Sequence, residues 1–186
     1  MRHTNAYDDA SFGTFFKILF LILGFGFGIA AVPAEPSIVL APVDQARVSV
    51  WANEMVVLTY TFNAENAEEN LKKIAPYFTK EGWTAFVKAF SASQILETVK
   101  QNKYRVSSVA MAPPEILKQG VHNHRYVWTV FMPILVQYKN ESVSHKQCLE
   151  VTLTIVYTAK KRGVRGLALE QFLAKKTDKA CKCPWV

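Results

Sequence analysis

The chain has 186 residues, of which 50% are hydrophobic and 20% charged, and its formal net charge is +7. This composition excludes an intrinsically disordered protein, because disordered chains hold too few apolar residues to bury a core. The length is sufficient for one domain with its own hydrophobic core. The sequence contains no internal repeat and no low-complexity tract.

An uncharged apolar segment, Ile18 to Ala34, lies near the start of the chain, behind Arg2 and Lys17. Its length is close to the ~20 residues that a membrane-spanning helix needs. A cleaved signal peptide would instead need a basic start, a short apolar stretch and small residues at the cut, and Val32-Pro-Ala34 fits that rule. We therefore expect residues 1–34 to be a signal peptide or a membrane anchor, and the rest of the chain to lie outside the cytoplasm.

Two segments follow with weaker signals. Residues 35–47 contain Pro36 and Pro42 and show little periodicity, which predicts an extended linker. The apolar run from Val48 to Phe62 fits a helix packed on a sheet and a strand equally well. Both readings of that run stay open at this point.

The next residues carry clear helix signals. Asn66 is followed three positions later by Glu69, a pattern typical of a capping box, and Pro76 ends or kinks the helix. A second helix is predicted to start at Thr79, and Ser91–Gln94 resembles a cap for a third helix that ends near Asn102. The apolar face of the second helix follows helical spacing and comprises Trp83, Phe86, Val87 and Phe90.

Beyond Asn102 the hydrophobic period changes to two, which indicates strands. Val106 to Met111 is a β-rich run that Pro113-Pro114 interrupts, and Arg125 to Tyr138 is dense in β-forming residues, with Pro133 marking a bulge or an edge. The clearest strand runs from Leu149 to Tyr157, with apolar and polar residues alternating. Helices first and strands after predict an α+β fold in which helices cover a curved antiparallel sheet. We expect its core to include Trp83, Phe86, Phe90, Trp128, Leu153 and Ile155.

The positive charge is concentrated at the C-terminal end. From Ala159 to Val186 eight basic residues face only Glu170 and Asp178, a net charge of +6. We expect a domain over residues 48–174 and a basic tail over 175–186 that is exposed and dispensable for folding. The tail is either a solvated appendage or a contact for anionic lipid or an acidic partner, and an exported protein is not expected to bind nucleic acid. The candidate contact residues are Lys160, Lys161, Arg162, Arg165, Lys175, Lys176, Lys179 and Lys182.

The residues that most often carry chemistry are few. The three cysteines are Cys148, Cys181 and Cys183, and Cys148 is either a small strand residue or is bridged to one of the other two. His122 and His124 are predicted to form a surface pair in a hairpin loop. The chain lacks a Gly-rich phosphate loop, a nucleophile elbow and a paired-acid motif, so we expect no catalytic residue, no metal and no cofactor.

Two elements of the sequence are distinctive: a Phe-Thr-x-Glu-Gly-Trp element that starts at Phe78 and a Trp-x-Val-x-Met-Pro-Ile-Leu-Val strand that starts at Trp128. Together with the segments Leu96–Lys100, Val106–Ala110 and Arg165–Phe172, they resemble the DotI/IcmL family. Members of that family are inner-membrane components of type IVB secretion systems and are related to TraM of conjugation machinery. The likeness covers roughly Val48 to Leu173.

The resemblance implies a periplasmic α+β domain with the cone shape of nuclear transport factors. It also implies a non-enzymatic scaffold in an envelope-spanning machine of a Gram-negative bacterium, at the inner membrane, in homo- or hetero-oligomers with sister subunits. A different reading from the residues is a soluble periplasmic binding module whose cone holds a small apolar ligand. The first reading predicts assembly with secretion subunits, and the second predicts a bound hydrophobic molecule.

Overall fold

The computed structural model describes residues 41–158 and 163–177 of the chain. The predicted signal or anchor segment, residues 1–34, lies outside these residues. The described helices are α1 (Gln45–Thr59), α2 (Ala67–Ile74), α3 (Lys80–Ala92) and α4 (Ile95–Asn102), with a 3-10 turn at Ala75–Tyr77. The described strands are β1 (Phe62–Asn63), β2 (Arg105–Ala110), β3 (Glu115–His122), β4 (Arg125–Lys139), β5 (Ser144–Tyr157) and β6 (Leu167–Lys176).

Helix α1 resolves the ambiguous apolar run in favour of a helix. It begins at Gln45, inside the segment predicted as a linker, because the Asp44 carboxylate accepts a hydrogen bond of 2.9 Å from the Arg47 backbone N–H. Its buried residues recur at helical spacing, so one face of the helix lies against the sheet. That face consists of Val48, Trp51, Ala52, Met55, Val56 and Thr59.

The other helices begin near the predicted positions, but two caps differ from the prediction. Asn66 precedes α2 without capping it, because its side-chain oxygen accepts from the Asn63 backbone N–H at 2.7 Å. Thr79 caps α3 as predicted, and its hydroxyl accepts from the Gly82 N–H at 3.0 Å. Helix α4 starts after Gln94, which adopts the left-handed conformation with φ of 54° and makes no side-chain cap.

The sheet is antiparallel, with the strand order β1-β2-β4-β5-β6 and with β3 also paired to β4. Strands β2 and β3 pair with the same edge of β4, since Ala110 lies opposite Ile134 and Glu115 opposite Phe131. Pro133 stands at the gap between them, where its carbonyl accepts from the Met111 N–H at 2.9 Å. In an antiparallel sheet the N–H and the C=O of one residue point towards the same neighbouring strand. The nitrogen of Pro133, which has no hydrogen to donate, therefore faces the gap between β2 and β3, where no strand residue needs its hydrogen bond.

Strand β3 was not predicted from the sequence. Its exposure pattern lacks a clean alternation, and the register shifts between Ile116 and Lys118. His122 is the last residue of β3. Asn123 and His124 form the tight turn to β4, and both have a positive φ. The surface location of the two histidines agrees with the prediction, since both are exposed.

The core lies between the helices and the inner face of the sheet, as an α+β fold with a curved antiparallel sheet requires. Alternate residues of β4 and β5 are fully buried on that face, and Trp128, Leu153 and Ile155 are each 0% exposed. Phe86 is also buried, whereas Trp83 and Phe90 are partly buried and pack against this core. No helix within the described ranges is long and apolar enough to cross a membrane.

Candidate interaction surfaces

A row of aromatic rings connects α3 to the sheet. The Phe86 ring centroid lies 4.8 Å from that of Phe78, 5.5 Å from that of Phe90 and 5.5 Å from that of Phe172 on β6. Trp83 also stacks on Phe86, with the two ring centroids 5.8 Å apart. Such ring pairs add to the stabilisation from burial alone. Trp83, Phe86 and Phe90 of the predicted helix face therefore hold α3 on the sheet, whereas Val87, the fourth predicted residue, is 37% exposed.

The open end of this ring cluster forms a groove of about 410 Å³. We call it the aromatic groove; its lining includes Tyr60, Phe86, Phe90, Tyr138 and Phe172, with Lys176 at its side. Burial raises the pKa of the Tyr60 hydroxyl above its ordinary value of 10.0, and the nearby Tyr138 adds to the rise. Burial likewise raises the pKa of Tyr138. Both tyrosines therefore stay neutral at physiological pH.

The hairpin between β5 and β6 is attached to α1 by two polar contacts. The Trp51 indole N–H donates to the Val164 carbonyl at 3.0 Å, and the Arg165 guanidinium forms an ion pair with Glu54. The Glu54 carboxylate raises the pKa of Arg165 by accepting its hydrogen bond. Because Arg165 already has a partner within the domain, its charge is partly neutralised, and it is a weaker candidate for an anionic ligand than the sequence suggested.

The remaining predicted contact residues fall into two groups. Lys175 and Lys176 belong to β6, opposite Glu150 and Leu149, and both are exposed. The predicted tail boundary at residue 175 thus lies inside a strand, which ends at Lys176. The other five lie outside the described residues: Lys160, Lys161, Arg162, Lys179 and Lys182.

Cys148 is not a plain strand residue, because it is disulfide-bonded. It lies on the outer face of the sheet, opposite Leu135 of β4, and Leu135 in turn lies opposite Val109 of β2. Cys181 and Cys183, the other cysteines of the sequence, lie outside the described residues.

The described residues offer no assembled metal site. No group of three or more His, Cys, Asp or Glu side chains lies close enough together among them to hold an ion. A cavity of about 560 Å³ is open and polar, and its lining includes Asn63, Lys103, Arg105, Lys139 and Glu141. These residues mix both charge signs on an exposed surface, which is typical of a solvated cleft.

The role of Gly82 was not predicted from the sequence, although Gly82 lies in the Phe-Thr-x-Glu-Gly-Trp element. A Cβ atom at Gly82 would stand 2.4 Å from the Leu169 carbonyl oxygen and 2.9 Å from that of Glu170. The Thr79 N–H also donates to the Leu169 carbonyl at 2.8 Å. The Phe-Thr-x-Glu-Gly-Trp element therefore joins the start of α3 directly to the backbone of β6. A glycine in the first turn of a helix, directly before a tryptophan that packs on the core, is the signal that points to such a close approach.

Comparisons with known proteins give a family match and similar solved structures for this domain. Residues 37–176 match the family model described as an inner-membrane complex component of the type IVb secretion system, DotI/IcmL. The structure of the periplasmic domain of DotI is 36% identical, covers 74% of this chain and 99% of its own, and has a TM-score of 0.71. An IcmL-like type IV secretion protein from Legionella pneumophila is 37% identical, covers 77% of this chain and 100% of its own, and has a TM-score of 0.68. No curated protein matches.

More distant structures share the fold. A periplasmic fragment of TraM is 20% identical, covers 72% of this chain and 98% of its own, and has a TM-score of 0.66.

The alternative of a ligand-holding binding module finds no support among these relatives. The family match spans every described element from α1 to β6, and the curved sheet and its helices are those of the DotI periplasmic domain. The chain belongs to the DotI/IcmL family of type IVB secretion-system components.

Proposed function

We propose that this protein is a structural subunit of a type IVB secretion apparatus that acts in the periplasm at the inner membrane. The observation that carries the proposal is the family match over residues 37–176, which includes every element of the described domain. A relative that is matched over 99% of its own length was solved as a periplasmic domain. The apolar segment from Ile18 to Ala34 supplies the export signal or anchor that such a location needs.

The role that we propose is assembly without catalysis. The family is a complex component, and its members work beside other subunits. Lys175 and Lys176 project exposed from β6, an edge strand of the sheet, and thus offer a charged contact. An acidic partner surface or anionic lipid would complement them, and such contacts weaken as salt screens the charges.

Affinity purification of the full chain from detergent-solubilised membranes of the bacterium that encodes it tests this function. We expect other type IVB secretion subunits, identified by mass spectrometry, to co-purify with it at low salt. The double variant Lys175→Glu and Lys176→Glu should recover less of these subunits. The control variant Lys118→Glu should recover the same amount as the wild type. Lys118 is also exposed, but it lies on β3, which is separated from β6 by β4 and β5. Recovery of the chain without any secretion subunit would contradict the proposal.

A reporter that is active only outside the cytoplasm, fused after Val186, tests the location. We expect activity, and N-terminal sequencing of the same protein then separates cleavage after Ala34 from a retained anchor. An inactive but well-expressed fusion would contradict a periplasmic domain.

A further inference from the structure

The hydroxyl of Tyr60 lacks a hydrogen-bond partner within the described domain, although its side chain is almost entirely buried. Tyr60 is 6% exposed and lines the aromatic groove, and its ring centroid lies 6.3 Å from that of Phe172. None of the described residues hydrogen-bonds to this hydroxyl. Native proteins pair nearly all buried hydroxyls, because leaving one unpaired costs free energy. The hydroxyl therefore points to a bound group in the groove that accepts a hydrogen bond.

A single charged side chain stands at the groove. Among the described residues that line it, only Lys176 is charged. Lys176 lies opposite Leu149, and directly paired residues of a sheet project to the same face, so the Lys176 side chain lies on the face that carries the groove. The adjacent Lys175 lies opposite Glu150 and projects to the other face. Lys176 forms no ion pair with any described residue, so the groove is complementary to a negative group.

The walls of the groove are apolar. Phe86, Phe90 and Phe172 supply aromatic rings, and Ile95 and Leu149 supply aliphatic side chains. The volume of about 410 Å³ is near the lower end of the ~300–1,000 Å³ that is typical of binding sites. Protein interfaces commonly insert a large apolar side chain into such a pocket and place polar contacts at its edge. The groove therefore suits a short protein segment in which a large apolar residue adjoins an acidic one.

We propose that the aromatic groove is the docking site for a short segment of another subunit of the secretion apparatus. A large apolar side chain of that segment fills the groove, and an adjacent carboxylate binds Lys176. An oxygen of the same segment accepts the hydrogen bond from the Tyr60 hydroxyl. This inference rests on the proposed function, because it assumes that the chain assembles with other subunits. It narrows that function to one surface, since Lys176 belongs to the docking site and Lys175 does not.

Site-specific photo-crosslinking in the bacterium that encodes the chain tests the occupant. A photoreactive phenylalanine analogue replaces Ala89, an exposed residue that lines the groove. In the control it replaces Ser91, which is also exposed but lies on the opposite side of α3, because it is two positions further along the helix. We expect position 89, and not position 91, to crosslink to an identified secretion subunit, at a peptide in which a large apolar residue adjoins Asp or Glu. Equal crosslinking from both positions, a crosslink to lipid or to a second copy of this chain, or no crosslink would overturn the proposal.

Substitutions in the full chain measure the contribution of each contact. In co-purification, Tyr60→Phe should bind the subunit about fivefold more weakly through the loss of one hydrogen bond, and its melting temperature should not fall, because the hydroxyl has no partner within the described domain. Lys176→Gln and Ala89→Trp should also recover less of the subunit, the second because the indole fills the groove. The matched controls Lys175→Gln and Ser91→Trp should recover as much as the wild type.

The same co-purification separates this inference from the proposed function. A wild-type chain that recovers no secretion subunit would contradict both. Wild-type recovery that Tyr60→Phe, Lys176→Gln and Ala89→Trp all leave unchanged would overturn the docking site alone. A lowered melting temperature of Tyr60→Phe would show that the hydroxyl serves the fold instead of a partner, which would also overturn its proposed role.

Discussion

Gly82 to alanine is the substitution that tests most directly how the helices are held on the sheet. Gly82 lies in the first turn of α3, where the helix backbone touches the backbone of β6. The added Cβ would stand 2.4 Å from the Leu169 carbonyl oxygen, well inside the distance at which such atoms repel. The obstacle is the main chain of β6, which is paired to β5, so it cannot rotate away as a flexible side chain would. Helix α3 must therefore move away from β6.

The size of the effect follows from opposing terms. Alanine is favoured over glycine by up to about 1 kcal/mol within a helix, which would stabilise the variant. Against this, forcing an extra atom into a packed contact costs about 1–3 kcal/mol. Moving α3 also weakens the 2.8 Å hydrogen bond from the Thr79 N–H to Leu169, worth about 1 kcal/mol. We expect a net loss of about 2 kcal/mol in the free energy of unfolding.

Urea denaturation followed by tryptophan fluorescence measures this loss. Ala85→Gly is the matched control, because Ala85 is an exposed residue of the same helix. It should lose about 1 kcal/mol from helix propensity alone. A Gly82→Ala protein as stable as the wild type, or more stable, would refute the close approach of α3 to β6.

Three further predictions concern buried aromatic side chains. Phe86→Ala should lose about 3–5 kcal/mol, because it removes a ring packed among four others, and an unchanged thermal melt would show that the helix face is wrongly assigned. Trp51→Phe should cost about 1 kcal/mol more than Trp128→Phe, since the Trp51 N–H donates to a carbonyl whereas the buried Trp128 N–H has no acceptor among the described residues. Equal losses in urea would contradict this reasoning. Stability should fall as the pH rises above the unfolded tyrosine pKa of 10.0, because the folded pKa of Tyr60 is higher and the unfolded chain loses its proton first. In thermal melts from pH 8 to 11, the melting temperature of Tyr60→Phe should fall less steeply with pH than that of the wild type. Equal slopes for the two proteins would show that Tyr60 is not the cause of the fall.

The α+β class of the fold was predictable because the helical spacing and the strand alternation of apolar residues are both clear where the helices pack on the sheet. The i, i+3, i+4 spacing of Trp83, Phe86 and Phe90 and the alternation from Leu149 to Tyr157 correspond to α3 and to β5. The Phe-Thr-x-Glu-Gly-Trp and Trp-x-Val-x-Met-Pro-Ile-Leu-Val elements then pointed to the DotI/IcmL family, to which the chain belongs. Local periodicity is sufficient for these conclusions because one face of each element must be apolar wherever it covers the core.

Prediction from the local sequence pattern failed for elements whose burial or hydrogen bonding depends on their neighbours in the fold. Strand β3 is an edge strand with a shifted register, so neither of its faces is consistently buried and no alternation marks it. The run that became α1 was ambiguous because its β-branched residues suit both states, and only burial against the sheet selects the helix. Asn66 carries the sequence of a cap, but its side-chain oxygen accepts a hydrogen bond from the backbone N–H of Asn63, at the end of β1, instead of from the first turn of α2.

The sequence by itself determined the order of layers, the positive charge near the C-terminus and the family, since each depends on residue type and spacing along the chain. Only the tertiary structure decided which residues meet across long separations. Three such contacts join residues that are far apart in the sequence: Gly82 with Leu169, Trp51 with Val164 and Cys148 with Thr177. Their partners are fixed by sheet register and by how closely the helices approach the strands. Those quantities are set by the packing of the whole domain, so no local pattern of residues encodes them.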